Sequence, residues 1–124
     1  MKYLIDTNVL ILGVAGHQPD ASFMRRAIVN KLVCVSVITV AEFFARASRV
    51  EKIALEKLLL IFAVLDIDEP TARQAAQYRR RSLKKTRITL IDCFIAAQAK
   101  NHGLTLVTNN QSDFPMRDIL IMKP

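Results

Sequence analysis

Five short, almost uninterrupted apolar segments punctuate this chain, and helical patterning fills the intervals between them. They are Tyr3-Leu4-Ile5, Leu32 to Val37, Val64 to Asp68, Leu104 to Val107 and Ile119 to Met122. A strand apolar at consecutive positions needs cover on both faces, and parallel pairing through helical crossovers supplies it. The intervals read as helices over 9–14, 21–31, a stretch opened by Ser36 or Thr39, 51–62, 70–85 and 89–102. Pro70 suits a first helical turn, and Gly103 suits the position just past a helix end. The expected fold is therefore α/β, with a central parallel sheet of four to five strands flanked by helices in three layers. With 124 residues, one domain over 1–124 is expected.

Hydrophobic residues make up 52% of the chain, which excludes a disordered polyelectrolyte. Both cysteines, Cys34 and Cys93, lie in apolar runs and read as core residues rather than ligands or bridges. His17 and His102 are isolated, so no Cys/His spacing suggests zinc. No apolar run approaches the roughly 18 residues of a membrane span, and nothing resembles a secretion signal, so a cytoplasmic protein without a membrane partner is expected. Net charge is +7, from 18 Lys and Arg against 11 Asp and Glu, which favours a polyanionic partner such as nucleic acid.

Four acids recur where a parallel sheet presents its ligands. Asp6 ends the first strand, and Thr7-Asn8 turns the chain into a helix. Glu42 lies on the helix after the second strand, Asp92 in the first turn of the last helix, and Asp113 in the loop after the fourth strand. Each has a local explanation as well: an N-cap for Asp6, a solvated helix face for Glu42, dipole complementation for Asp92 beside Thr89, and an Asx-turn for Asp113. If the four converge, the physics calls for a cation. Two carboxylates about 5 Å apart repel by roughly 3 kcal/mol at an effective dielectric near 20. All-oxygen ligation suits Mg²⁺ or Mn²⁺, which promote phosphodiester hydrolysis without a histidine or serine nucleophile.

The order YLIDTNVL, VITVAEFF and ITLIDCFIAAQAKNHGLTLVTNNQSDF resembles the PIN-domain ribonucleases, most closely the VapC-type toxins of toxin–antitoxin pairs. The resemblance spans Tyr3 to Phe114. It implies a single PIN-like domain whose Asp6, Glu42, Asp92 and Asp113 form a catalytic metal site. Thr7 and Asn8 would shape its floor, and Thr108 and Asn110 would orient the acids or the attacking water. The implied activity is Mg²⁺- or Mn²⁺-dependent cleavage of single-stranded regions of RNA, in a homodimer neutralised by a cognate antitoxin. Two positions depart from the family pattern. Arg46 stands where relatives often carry Gly, placing near Glu42 a guanidinium that would either bind phosphate or alter how the antitoxin docks, and Thr89-Leu90-Ile91 replaces a common proline before Asp92.

Arg79, Arg80, Arg81, Lys84, Lys85 and Arg87 place six cations in nine residues just before the Asp92 helix. The run reads either as a solvated helix end or as a track for an RNA backbone, and its position favours the track. Leu55, Leu58, Leu59, Leu60, Ile61 and Phe62 are too many for one narrow stripe; the surplus beyond core packing would serve a homodimer seam or an antitoxin groove. Two other functions stay open on the residues alone. One is a haloacid-dehalogenase-like phosphohydrolase, although Asn8 stands where that family needs a second Asp. The other is a non-catalytic basic RNA-binding module.

Overall fold

Leu4 and Ile5 are adjacent in sequence, both fully buried, and belong to different cores. Successive strand residues face opposite ways, so an apolar pair marks a strand covered on both sides. The same division separates Cys34 from Val35 and Leu106 from Val107. The computed structural model describes residues 2–82 and 88–124. The order of elements is β1 (Tyr3–Ile5), α1 (Thr7–Val14), α2 (Asp20–Val29), β2 (Val33–Ser36), α3 (Val37–Arg46), α4 (Arg49–Leu58), β3 (Ala63–Leu65), α5 (Glu69–Ser82), α6 (Leu90–Asn101), β4 (Thr105–Val107), a 3-10 turn (Gln111–Asp113) and β5 (Ile121–Met122).

The five strands form one parallel sheet in the order β3-β2-β1-β4-β5. One core packs α5 and α6 through Ala75, Tyr78, Cys93, Ile95 and Ala96. The other packs α1 to α4 through Val9, Leu10, Phe23, Phe43 and Leu55. The result is the expected α/β/α layering, with Cys34 and Cys93 buried and unbridged. Among the described residues, no helix is long and apolar enough to cross a membrane. From β1 the chain adds β2 and β3 on one side of the sheet and then β4 and β5 on the other, so strand order reverses between β1 and β4. A crevice opens at the carboxyl ends of the strands at such a switch.

Several boundaries differ from those read in the sequence, each for a local reason. The helix expected over 51–62 begins at Arg49, where Ser48 and Glu51 form a reciprocal capping box, and ends at Leu58. Leu60 and Ile61 therefore lie in a turn and are exposed, alongside exposed Val50 and Ile53 on α4. The third strand stops at Leu65 instead of reaching Asp68, whose carboxylate accepts from the Thr71 amide and starts α5. Between the two candidate helix starts, Ser36 is the one that caps α3. The stretch 83–85 of the long helix expected after Pro70 lies outside the described residues.

Helices α1 and α2 meet at Gly13, where an added Cβ would overlap the Met24 sulfur, and Met24 is itself buried. Gly13→Ala is expected to destabilise the protein by about 1–3 kcal/mol despite alanine's better helix propensity. In denaturant titrations, the Gly13→Ala, Met24→Ala double variant should lose less than the sum of the single losses. Strict additivity would show that the contact is not what makes Gly13 necessary.

Candidate active site

The pairing of β1 with β4 (Tyr3 with Thr105, Leu4 with Leu106, Ile5 with Val107) brings residue 6 level with residue 108. Both strands end there, so both side chains sit at the switch-point crevice. Asp6 is buried and caps α1, accepting from the Thr7 amide on Oδ1 at 2.8 Å. Its Oδ2 accepts from the hydroxyl of fully buried Thr108, also at 2.8 Å. The Thr108 oxygen in turn accepts from the Asn110 amide at 3.0 Å, tying the acid to the loop that carries Asp113.

Glu42 is half-buried on α3, not a freely solvated residue. Its Oε1 accepts from the Thr7 hydroxyl at 2.6 Å, and that hydroxyl lies 3.1 Å from Oγ1 of fully buried Thr39. A hydroxyl has one proton to give. The shorter bond to a carboxylate takes it, and the Thr39 hydroxyl supplies the proton of the second contact. Asp92 sits in the first turn of α6, its amide donating to the Thr89 hydroxyl at 3.1 Å. Asp113 closes the 3-10 turn and is exposed.

Asp6 and Asp92 each lie within electrostatic reach of other acids of the set. Burial pushes the Asp6 carboxyl above its ordinary range, and the charges of Glu42 and Asp113 add to the shift. Asp92 is raised likewise, first by burial and then by Asp6, Asp113 and Glu42 together. These effects outweigh the stabilisation that Thr89 and the helix N-terminus offer a carboxylate. Each acid comes from a separate element, yet the charges of Glu42 and Asp113 reach both Asp6 and Asp92.

All the donors are hard oxygens, which fits Mg²⁺ or Mn²⁺ and not a softer metal. Among the described residues, no three His, Cys, Asp or Glu side chains are grouped closely enough to clasp one ion by themselves. Mg²⁺ does not require such a cage, since it keeps several waters and takes one or two carboxylates. The donor set therefore fits a largely hydrated divalent ion.

The other expected site residues divide into two groups. Thr7 and Thr108 hold acids directly, and Asn110 acts through its backbone, whereas Asn8 is simply exposed. Arg46 ends α3 with its guanidinium 3.9 Å from the Glu51 carboxylate, turned partly toward the start of α4. Arg79 donates to the Ile88 carbonyl at 3.0 Å, so part of its guanidinium serves structure. Arg80 and Arg81 are exposed, and Lys84, Lys85 and Arg87 lie outside the described residues.

Two positions that hold the site together were not singled out from the sequence. Asp20, 3% exposed in the first turn of α2, accepts from the Asn109 side chain at 2.8 Å and anchors the loop between Thr108 and Asp113. Thr39 is the other. Its signal was available, because it lies three residues before Glu42 and so on the same helix face.

Known proteins share the fold that carries these residues. The PIN domain family model matches residues 3–118. Ribonuclease VapC2 of Haemophilus influenzae is 33% identical over 120 residues, covering 92% of this chain and 90% of that one. Toxin FitB of Neisseria gonorrhoeae is 33% identical over 137 residues, covering 98% and 96%. A chain in the solved toxin–antitoxin complex from Klebsiella pneumoniae superposes with a TM-score of 0.79 at 25% identity, covering 92% and 91%.

The raised Asp92 pKa predicts how stability varies with pH. A carboxyl whose folded pKa is raised stabilises the fold fully below its unfolded value near 3.8, and that stability is lost as pH rises through the folded value. Asp92→Asn should therefore melt at a higher temperature than the parent at neutral pH, with the two curves converging toward about pH 4. A melting difference that does not change with pH would contradict the repulsion described here.

Proposed function

The chain belongs to the PIN domain family, and on that premise we propose that it is a divalent-metal-dependent endoribonuclease, the toxin of a toxin–antitoxin pair. The observation that carries this reading is the pair of buried carboxyls, Asp6 and Asp92, each raised by burial and further by the charges of Glu42 and Asp113. Such crowding of carboxylates is costly in a fold with no use for a cation. The ribonuclease and toxin named among its relatives, and the toxin–antitoxin complex that shares its fold, support the activity and the partner.

In this proposal Asp6 and Asp92, with Asp113 and Glu42, hold Mg²⁺ or Mn²⁺. Such an ion lowers the pKa of water and offsets the charge that develops on a phosphoryl oxygen. The protein's own groups position the rest. Thr108 fixes the Asp6 carboxylate and Thr7 fixes Glu42, so neither acid reorganises when substrate arrives. Exposed Arg80 and Arg81 attract the backbone of a single-stranded RNA segment toward the crevice. Val50, Ile53, Leu60 and Ile61 offer an apolar surface to the antitoxin or to a second copy in a homodimer. A cytoplasmic location suits an RNA substrate.

Wild-type protein should cut single-stranded RNA in Mg²⁺ or Mn²⁺ and stop on chelation. Asp6→Asn and Asp92→Asn should each lose about a hundredfold or more in rate while keeping the native circular dichroism. Release of phosphate from small monoesters without RNA cleavage would favour a phosphohydrolase instead, and RNA binding without turnover would favour a binding module. Arg80→Ala should lower the slope of log affinity against log salt by about 0.7, the value for one phosphate contact on a single strand. An unchanged slope would remove Arg80 from the RNA path.

A further inference from the structure

A cavity of about 600 Å³ opens between the C-terminal end of α5, the residue leading into α6 and the segment that follows Asp113. Tyr78, Ile88, Pro115 and Met116 give it apolar walls, and Arg81 and Arg117 stand beside them. Both arginines are exposed, whereas Tyr78 and Ile88 are each only 3% exposed. Its volume falls in the range of small-ligand sites.

We propose that this cavity is a nucleobase subsite, holding one unstacked base of the RNA strand beside the bond that the acidic site cleaves. The inference rests on the nuclease function proposed above and specifies how that site takes its substrate. Location is the first argument. Pro115 lies two residues after Asp113 and Ile88 four before Asp92. At about 3.5 Å of chain per residue, these walls are no more than about 7 Å and 14 Å from the acids' own Cα atoms. A strand whose phosphate reaches the acids has its neighbouring nucleotides within range of the cavity.

Chemistry is the second argument. Single-stranded RNA is gripped by stacking splayed bases on aromatic and apolar side chains or on guanidinium planes, while cations hold the backbone. Apolar walls flanked by two guanidinium groups match both halves of a nucleotide. A purely apolar peptide would bring no anion to Arg81 and Arg117. Asp118, the acid that also lines the cavity, already has partners: Tyr78 Oη donates to its Oδ1 at 2.8 Å, and Lys100 Nζ lies 2.6 Å from its Oδ2. It does not cancel the attraction for phosphate.

Pre-organisation is the third. The Tyr78–Asp118–Lys100 link pins the wall after Asp113 to α5 and α6, and the Arg79 bond to the Ile88 carbonyl pins the opposite wall. A subsite braced on both sides binds without first ordering its own walls.

The test is an abasic scan. Short fluorescein-labelled single-stranded oligoribonucleotides, each lacking one base, are bound to Asp92→Asn protein and dissociation constants read by anisotropy. The same set is used with Asp92→Asn carrying Met116→Trp, which fills the cavity, and separately with exposed Arg117→Ala. One position should weaken binding about tenfold when its base is removed, and filling the cavity should erase that penalty. An equal penalty with the cavity open and filled overturns the subsite, as does the absence of any base-dependent position. Should Met116→Trp misfold, Arg117→Ala decides: it must weaken binding and reduce the same position's penalty, or the proposal fails. A change in sedimentation on filling the cavity would assign it to a second copy of the chain and overturn the proposal too. Cleavage by the wild-type protein is scored separately, so loss of the nuclease reading and loss of the subsite are distinguishable.

Discussion

The contact between Thr108 and Asp6 depends on β1 and β4 lying side by side in register, although about a hundred residues separate them in sequence. From that one alignment the rest of the site follows. β1 and β4 end level, so the acid at the end of one and the loop at the end of the other share a crevice. Asp6 caps α1, whose first residue Thr7 reaches α3 and donates its hydroxyl proton to Glu42. The register is enforced by burial, because a slip of one residue would exchange the two faces of a strand between two different cores.

Held together this way, the acids carry a charge conflict that folding must absorb. Asp6 and Asp92 are raised because burial and like charges both disfavour the ionised form. The Thr7 amide and the Thr108 hydroxyl at Asp6, and Thr89 at Asp92, counter only part of it. What remains is an unfavourable concentration of negative charge on a domain with a net charge of +7. The excess of cations lies elsewhere, partly along the exposed end of α5. In the function proposed above, that basic surface draws in the polyanion and the acids hold the cation that cutting it requires.

The layering was legible in the sequence because β1, β2 and β4 have consecutive apolar residues, a pattern few other folds satisfy. The elements that carry the four acids were legible too: Asp6 just after β1, Glu42 on α3, Asp92 in the first turn of α6 and Asp113 beyond β4. Element ends were less so. Nothing in EKIALEKLLLIF marks Leu58 as its last helical residue, because leucine propagates a helix readily and the stop lies in the approach to β3. Asp20 was hidden for a different reason. An aspartate at the start of a helix is explained well enough by the helix itself. Its bond to Asn109 exists only because α2 folds back against the loop beyond β4. Arg79 shows the converse, a cation that looks available in a run of cations yet bonds the Ile88 carbonyl.

The central position of β1 also bears on synthesis. Ribosomes deliver the segment bearing Asp6 about a hundred residues before its partner strand β4. Until that strand emerges, β1 lacks one neighbour, and the carboxylate has neither Thr108 nor the loop that brings Asp113. A nascent polypeptide that ends before β4 thus holds Asp6 in a half-built setting, and the sheet closes around it only when that long-range pairing forms.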